Sequence, residues 1–441
     1  MTRPVLRTLS IAAIAGWCCA VAQAQLVFDG SLMDAAGRLE RVGVSMIRSA
    51  PADGPQTAGE ITIIDSRGAS RTRPLGDTIA LVPAAWADGQ PSTGLSQIDA
   101  WLLAGSPFIE LVDGQRFVGR PGRIGAEGET IAWLHERFGT LTLPIDEVSR
   151  LVMRPAMPGE SAQADDAPRS DTILLANGDR LEGFLEHIGP RAGGEGFALT
   201  IDTGGGGNRI TVPVDQVIRA QFANPRRAPR GPVAWLADGS VVGVSSIKTE
   251  PEKSMLLLTA SAAILPKQGD NSPESPGASA TAPFGSRDVT AIVFDSARTA
   301  PLAQMQILSH RPIGLPRRPG PSLDAADTVP VPLGAADVLL PGPMEVEWAM
   351  PAGSARLIGT ARLDEADWTW GECVVVVEVV SGSSAPRQVA RINLGGSVVA
   401  APLATELGAT KAGDRLRIRI EPGELGPIRD RVRLERVLLI R

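Results

Sequence analysis

Alternating apolar and polar residues around Asn-Gly or Asp-Gly turns recur three times along the chain. The segments read "LVDGQRFVG", "LANGDRLEG" and "LADGSVVG", with turn glycines at Gly114, Gly178 and Gly239. Asn and Asp tolerate the left-handed backbone conformation and Gly adopts it freely, so these dipeptides favour the tight turns of β-hairpins. The pattern predicts three equivalent hairpins, each at the start of a similar unit.

The residues after each turn predict a small, strongly bent β-barrel. After Gly178 come the alternating runs "RLEGFLEHI", "GFALTID", "RITVPVD" and "QVIRAQF", and Gly183 inside the first run marks a bend. The order resembles that of SH3-like and Sm-like barrels, in which a short turn precedes the last strand. We predict repeats at 105–157, 171–224 and 231–298, and a degenerate unit of the same kind at 25–104. A Pro/Ser/Gly-rich insertion at 266–286 is expected to be disordered.

The C-terminal part has a different pattern of apolar and polar residues. A Pro/Arg-rich stretch at 299–330 is interpreted as a linker, in which proteases should cut between His310 and Pro330. Residues 331–441 are interpreted as a jelly-roll β-sandwich that folds alone. Its strand "RLRIRI" points Leu416, Ile418 and Ile420 one way and the intervening arginines the other, which predicts a buried face and a wet arginine face. The whole chain is therefore expected to be all-β.

The C-terminal segment combines a Ser-to-Gly-to-Asp strand, a valine-rich strand, a Gly-Ala turn and a late Asp; these are Ser354, Gly359, Asp364, "CVVVVEVV", Gly408, Ala409 and Asp430. In these features it resembles the NPCBM module, the carbohydrate-binding domain associated with glycoside hydrolase family 98 proteins. The segment departs from the family in lacking a Trp after Asp430. The resemblance implies a sandwich fold and, less directly, sugar binding.

Export is expected from the first residues. Arg3 and Arg7 precede an apolar run, and the small-x-small stretch 22–24 fits a signal peptide of residues 1–24. Cys18 and Cys19 leave a lipoprotein open as an alternative. The destination would be the periplasm, the extracellular space or the cell surface, with no integral membrane span. The net charge of −6 gives no reason to expect nucleic acid.

No catalytic constellation stands out in the sequence. His135, His187 and His310 lie in three separate segments, and no Gly-x-Ser-x-Gly motif is present. Cys373 opens a valine-rich strand and is predicted to be a buried thiol. The sequence therefore predicts a protein that is not an enzyme.

The stretch "LDEADWTWGE" carries the candidate ligand site. In an extended chain Trp368 and Trp370 share one face beside Asp364 and Asp367, as a sugar-stacking site requires. The alternative is that both tryptophans, with Trp348, cap the sandwich core. A second alternative is that the acidic residues, including Glu365 and Glu372, hold Ca²⁺.

Three functions remain open at this point. The leading hypothesis is a secreted, non-catalytic protein that binds a glycan or cell-wall polysaccharide, or acts as a surface scaffold. The second is a cell-surface protein that binds protein partners. The third is a glycoside hydrolase-associated enzyme whose site the sequence does not display.

Overall fold

A computed structural model of the chain describes part of its residues. The described residues are 28–34, 39–49, 59–65, 67–83, 106–122, 130–154, 170–191, 196–204, 207–227, 231–261, 280–313, 331–333, 337–364, 369, 371–424, 426 and 430–441. Within these ranges the chain forms strands and short 3₁₀ turns but no α-helix, so the all-β prediction is confirmed. The predicted signal peptide and most of the predicted linker residues lie outside them.

The N-terminal unit has five strands within its described residues. These are β1 (Phe28–Asp34), β2 (Leu39–Ser49), β3 (Gly59–Ile64), β4 (Ser70–Pro74) and β5 (Thr78–Pro83). Successive strands from β1 to β4 pair antiparallel, and β5 returns to pair with β1. A 3₁₀ turn over Leu75–Asp77 carries the chain from β4 to β5.

Repeats 1 and 2 follow a similar order. Repeat 1 contains β6 (Phe108–Leu111), β7 (Arg116–Val118), β8 (Arg120–Pro121), β9 (Thr130–His135), β10 (Gly139–Pro144) and β11 (Val148–Val152). Repeat 2 contains β12 (Asp171–Leu175), β13 (Arg180–Pro190), β14 (Phe197–Asp202), β15 (Arg209–Pro213) and β16 (Val217–Gln221). In both repeats a 3₁₀ turn precedes the last strand, which pairs with the first strand.

Repeat 3 completes the series. Its strands are β17 (Val233–Leu236), β18 (Val241–Glu250), β19 (Met255–Ala260), β20 (Thr281–Phe284) and β21 (Val289–Val293). Because β20 pairs with β19, residues 281–284 of the predicted disordered insertion form a strand. The turn glycines Gly114, Gly178 and Gly239 have φ of 83°, 89° and 89°, and the three predicted hairpins are confirmed.

The units share their sheets. The last strands of repeats 1 and 2, β11 and β16, pair antiparallel, and so do the last strands of repeat 3 and the N-terminal unit, β21 and β5. The result is an 18-stranded sheet that runs through all four units rather than one isolated sheet for each unit. Closure of each unit into its own barrel therefore stays a prediction.

The C-terminal part is a sandwich of two antiparallel sheets. Its strands are β22 (Thr299–Pro301), β23 (Ile307–Pro312), β24 (Val331–Leu333), β25 (Asp337–Pro341), β26 (Met344–Ala349), β27 (Arg356–Leu363), β28 (Glu372–Val380), β29 (Arg387–Gly395), β30 (Ala400–Glu406), β31 (Arg415–Pro422) and β32 (Arg431–Ile440). One sheet has the order β24-β25-β32-β27-β30 with β22 against β32, and the other has the order β23-β26-β31-β28-β29.

The interpretation of 299–330 as a linker is wrong for its first part. The strand β22 pairs with β32, β23 pairs with β26, and Leu302 between them is fully buried in the sandwich core. The local sequence does not indicate these strands, because they are short, end in Pro301 and Pro312 and lack apolar alternation. The sandwich therefore begins about thirty residues before Val331.

A separate apolar cluster, here called the apolar joint, connects the sandwich to the units before it. On the sandwich side it contains Ile358, Leu438 and Ile440. On the other side it contains residues of the N-terminal unit and repeat 3: Met33, Ile79, Ala80, Val82, Val233, Trp235, Val241, Ala291 and Val293. Burying these side chains together removes apolar area from water and fixes the sandwich against the units.

No helix among the described residues has the length and apolar character that crossing a membrane requires.

Candidate functional site

Several strand ends of the sandwich meet at one end, here called the loop end. Backbone hydrogen bonds hold the ends of β25 and β27 to β32 in one sheet, and the end of β31 to β28 in the other. These are Asp364 N–H to Arg431 O (2.9 Å), Gly342 N–H to Asp430 O (3.2 Å) and Gly423 N–H to Glu372 O (2.8 Å). The loop with the candidate tryptophans leaves β27 and enters β28 at this end. Both of its attachment points are therefore held by neighbouring strands.

Asp364 holds the start of that loop through its side chain as well. Its carboxylate lies 3.2 Å from Arg431 Nη2 and 3.7 Å from Arg433 Nη2, and the side chain is 4% exposed. A carboxylate that is buried against two guanidinium groups is poorly placed to contact a ligand in solvent. A Ca²⁺ ion would also have to displace those two cations. The predicted ligand-binding role is therefore not favoured for Asp364, which positions the strand end.

The other candidates cannot be placed in the same way. Asp367, Trp368 and Trp370 lie outside the described residues, so their predicted role as ligand contacts stays a prediction. Thr369, between the two tryptophans, is exposed. Trp348, the third tryptophan of the segment, lies in the sandwich core at 1% exposed, as the core-capping alternative expects for that residue.

Cys373 is the buried strand thiol that the sequence predicts. It lies in the sandwich core, and burial, together with the charges of Asp430 and Glu372, raises its pKa to about 12. A thiol with this pKa is protonated near neutral pH, and the thiolate is the nucleophilic form. Cys373 is therefore a packing residue.

The predicted wet arginine face is instead a ladder of ion pairs. Arg417 lies 2.6 Å and Arg415 lies 2.7 Å from carboxylate oxygens of Glu347, and Arg419 lies 3.1 Å from Glu378. The side chain of Arg417 is only 17% exposed. The opposite face is as predicted, because Leu416, Ile418 and Ile420 are fully buried. The segment "MEVEWAM" could have indicated these ion pairs, because its two glutamates alternate along β26. In the strand pairing they lie opposite Arg419 and Arg417 of β31.

His135 brings together residues that resemble a catalytic triad in composition only. It ends β9, as predicted, and its Nε2 lies 3.1 Å from Ser240 Oγ and 3.4 Å from Asp238 Oδ2. Its Nδ1 accepts the backbone N–H groups of Arg137 and Phe138, at 3.1 and 3.2 Å. Because Nδ1 accepts, the proton of the neutral ring is on Nε2, and His135 cannot act as a general base toward Ser240. The trio joins repeat 1 to repeat 3.

Glu110 in repeat 1 is a second buried charge with a structural role. Its carboxylate lies 2.5 Å from Arg150, 3.6 Å from Arg116 and 3.8 Å from Arg226. Burial alone would raise the pKa of Glu110, but Arg150 and Arg116, with a smaller effect of Arg226, lower it to about 2. Both Arg116 and Arg150 also stack over the Phe108 ring. Glu110 is therefore ionised at neutral pH and has no proton to exchange.

Metal binding finds no support in the described ranges. No group of three or more His, Cys, Asp or Glu side chains there is arranged to hold a metal ion. An open hollow of about 420 Å³ in the N-terminal unit contains Asp34, Glu40 and Asp77. Within it Glu40 is already paired with Arg73 at 2.9 Å.

Comparison with protein-family models and with curated proteins gave no match. Three solved structures with partial similarity come from Clostridium perfringens. The CBM51-2 and INT domains of ZmpB are 8% identical, with 42% of this chain and 37% of that chain covered, at a TM-score of 0.26. A CBM51 domain from a GH95 protein, in complex with methyl-galactose, is 10% identical, with 32% of this chain and 99% of that chain covered, at a TM-score of 0.23.

The third structure contains the M60 catalytic domain of ZmpB with its CBM51-1 and CBM51-2 domains. It is 10% identical, with 91% of this chain and 44% of that chain covered, at a TM-score of 0.24. This chain thus spans well under two thirds of the first of these structures. Similarities of this size assign neither a ligand nor an activity, which must be argued from the residues themselves.

Proposed function

We propose that the chain is a non-catalytic carbohydrate-binding protein whose C-terminal sandwich binds a glycan at the loop end, through Trp368 and Trp370. The observation that supports this most is the anchoring of their loop. Asp364 holds its first end with two ion pairs, and the carbonyl of Glu372 accepts a hydrogen bond at its other end. A loop with fixed ends can present aromatic rings without a large ordering cost on binding.

The chemistry of the loop suits a sugar. A pyranose ring presents one apolar C–H face and a rim of hydroxyl groups, which an aromatic ring and adjacent polar groups can recognise together. Asp367 in the same loop would contribute an acceptor, and the exposed Thr369 a hydroxyl. The proposed ligand is therefore a glycan contacted at a shallow surface site.

The remaining parts of the chain fit this role. The resemblance to the NPCBM module adds support for sugar binding, and the predicted signal peptide would bring the protein to extracellular glycans. The N-terminal unit and the three repeats would act as a scaffold that carries the sandwich. The absence of a proton-accepting nitrogen toward Ser240 at His135 is consistent with a non-catalytic protein.

Single-tryptophan variants of the mature chain test the proposal. Trp368→Ala and Trp370→Ala should melt like the wild type but lose retention on a polysaccharide panel that includes a galactose-containing polymer. Trp348→Ala is the control for a core tryptophan and should lower stability by about 3–5 kcal/mol. Thermal melts and affinity electrophoresis read out the two properties separately.

If Trp368→Ala and Trp370→Ala both unfold like Trp348→Ala, the tryptophans are core residues and the proposed site is wrong. If the wild-type chain is retained on no glycan, the carbohydrate function itself is wrong, and the protein-binding scaffold becomes the better hypothesis.

A further inference from the structure

Phe184 in β13 of repeat 2 is exposed without a packing reason. It is 63% exposed, the most exposed large hydrophobic residue in the described part of the chain. The other phenylalanines whose side chains are described are buried or half-buried. An aromatic ring in water contributes nothing to folding.

The position of Phe184 distinguishes repeat 2 from two of the other units. In three units the second strand has a β-bulge, at Ser45, Glu186 and Ser245. Two residues before the bulge, the N-terminal unit has Gly43, repeat 3 has Gly243, and repeat 2 has Phe184. In repeat 3 a side chain would have no room at that position, because a Cβ on Gly243 would lie 2.8 Å from Gln115 of repeat 1, which also accepts the N–H of Gly243. In repeat 2 the same place carries a ring that faces solvent.

The backbone under the ring is held on both sides. The N–H of Leu185 donates to Asp171 Oδ2 at 2.6 Å, and the same Asp171 accepts the N–H of Ala223 at 2.7 Å. A Cβ on Gly183 would lie 2.1 Å from the carbonyl oxygen of Asp202, so the two strands approach closely there. Leu185 on the other face is buried in the core. The backbone that carries the Phe184 ring is therefore held in place.

Three charged side chains lie near Phe184 on β13, β14 and β15, and two of them pair with each other. Asp202 lies opposite Phe184 in the strand register and accepts the N–H of Gly204. Arg209, the next residue in that row, is paired with Glu186 at 2.8 Å. These side chains offer hydrogen-bond donors and acceptors to sugar hydroxyl groups, and their excess of one carboxylate would repel an anionic polymer, so they suit a neutral polyhydroxyl ligand better than an anionic one. A single ring is also too small for a stable protein interface.

We propose that Phe184 is a second sugar-stacking site, which takes one pyranose ring of an uncharged polysaccharide on repeat 2. The proposal rests on the proposed carbohydrate function for its ligand class but not on the loop end of the sandwich. Two weak sites on one chain raise the apparent affinity for a polymer that reaches both. The chain should then bind long polysaccharides more tightly than short oligosaccharides.

The test uses the full mature chain in affinity electrophoresis with galactomannan, arabinoxylan and hydroxyethyl cellulose. Phe184→Ala should weaken retention about 2- to 10-fold, as expected for one aromatic contact. Its melting temperature should stay unchanged, and Phe184→Trp should restore retention. The matched control is Leu308→Ala, at an exposed apolar residue of β23 that is 46% exposed, and it should have no effect.

The outcomes separate this proposal from the one on the sandwich. Unchanged retention of Phe184→Ala, with retention lost in Trp368→Ala, overturns the second site and leaves the first standing. Retention lost only in Phe184→Ala supports the second site and overturns the first. A wild-type chain retained on no polysaccharide overturns both.

Discussion

Among single residues, His135 shows how a buried side chain makes the junction of two repeats depend on pH. Burial lowers its pKa below the ordinary value of 6.5, although Asp238 and Glu136 oppose this and Arg137 adds to it. A proton on Nδ1 would face two backbone N–H donors, from Arg137 and Phe138. The folded state thus binds this proton less readily than the unfolded state does.

The sign of the effect follows from this difference. The stability contributed by neutral His135 is fully present above about pH 6.5 and is lost as the pH falls toward the lowered pKa of the folded state. The free energy of unfolding should therefore decrease between pH 7 and pH 5. His135→Asn, whose side-chain oxygen can accept the same N–H groups, should flatten this decrease in urea unfolding. The half-buried His187→Asn serves as control, and an equally flat profile for wild type and His135→Asn would refute the expectation.

The same junction shows what sequence reasoning can and cannot recover at this scale. The position of His135 at a strand end could be predicted from local pattern. Its contact with Ser240 could not, because the two residues are 105 positions apart and no local pattern encodes the contact. Asp364 is similar: its acidic character suggested a ligand, and only the fold revealed Arg431 and Arg433 beside it.

At the scale of strands and turns, two glycines of repeat 2 illustrate two different constraints. Gly178 has φ of 89° with open space where a Cβ would lie, so its constraint is the backbone conformation alone. Gly183 has no positive φ, but an added Cβ would lie 2.1 Å from a backbone oxygen of β14. Glycine is therefore needed at 178 for the turn conformation, and at 183 because β13 and β14 approach closely there.

Substitution should separate the two constraints. Gly178→Ala should destabilise repeat 2 by about 1 kcal/mol, the cost of left-handed backbone in a residue with a side chain. Gly183→Ala should cost more, because β13 and β14 must move apart and disturb the packing of Leu185. Urea unfolding of the two variants gives the comparison. A Gly183→Ala variant as stable as Gly178→Ala would contradict the reading of Gly183 as a close approach.

The sequence predicts strands correctly where apolar alternation and a turn dipeptide occur together. The hairpins at Gly114, Gly178 and Gly239 meet both conditions. The strand β23 meets neither, because its residues are all exposed and it stands at a sheet edge with Pro312 at its end. Edge strands bury too little surface to leave a clear pattern.

At the scale of the whole molecule, the sandwich depends on residues that lie before its predicted start. β22 pairs with β32, and Leu302 fills a place in the core. A fragment of residues 331–441 should therefore be less stable than one of 296–441 by at least about 2–5 kcal/mol, because losing a buried leucine alone costs this much. Circular dichroism melts of the two fragments test this, and equal melting temperatures would show that β22 and β23 are dispensable.

The apolar joint adds an expectation for the longer fragment. Without the units, Ile358, Leu438 and Ile440 lose their cover and should promote association at high concentration. Ile358→Lys should reduce this association in the fragment and lower stability in the full chain. Light scattering and thermal melting measure these opposite effects, and a fragment that stays monomeric would argue against a tight joint.

The course of β32 has a mechanical consequence. The strand runs from Arg431 at the loop end to Ile440 at the apolar joint, about 30 Å at roughly 3.4 Å per residue. A pull on a glycan held at the loop end would be transmitted along this strand toward the units. The hydrogen bonds of β32 to β25 and β27 lie across that direction, so the load would act on them in shear, many at once, and not on one pair after another. If the proposed glycan site is correct, this arrangement would let the sandwich carry tension between a bound polymer and the units.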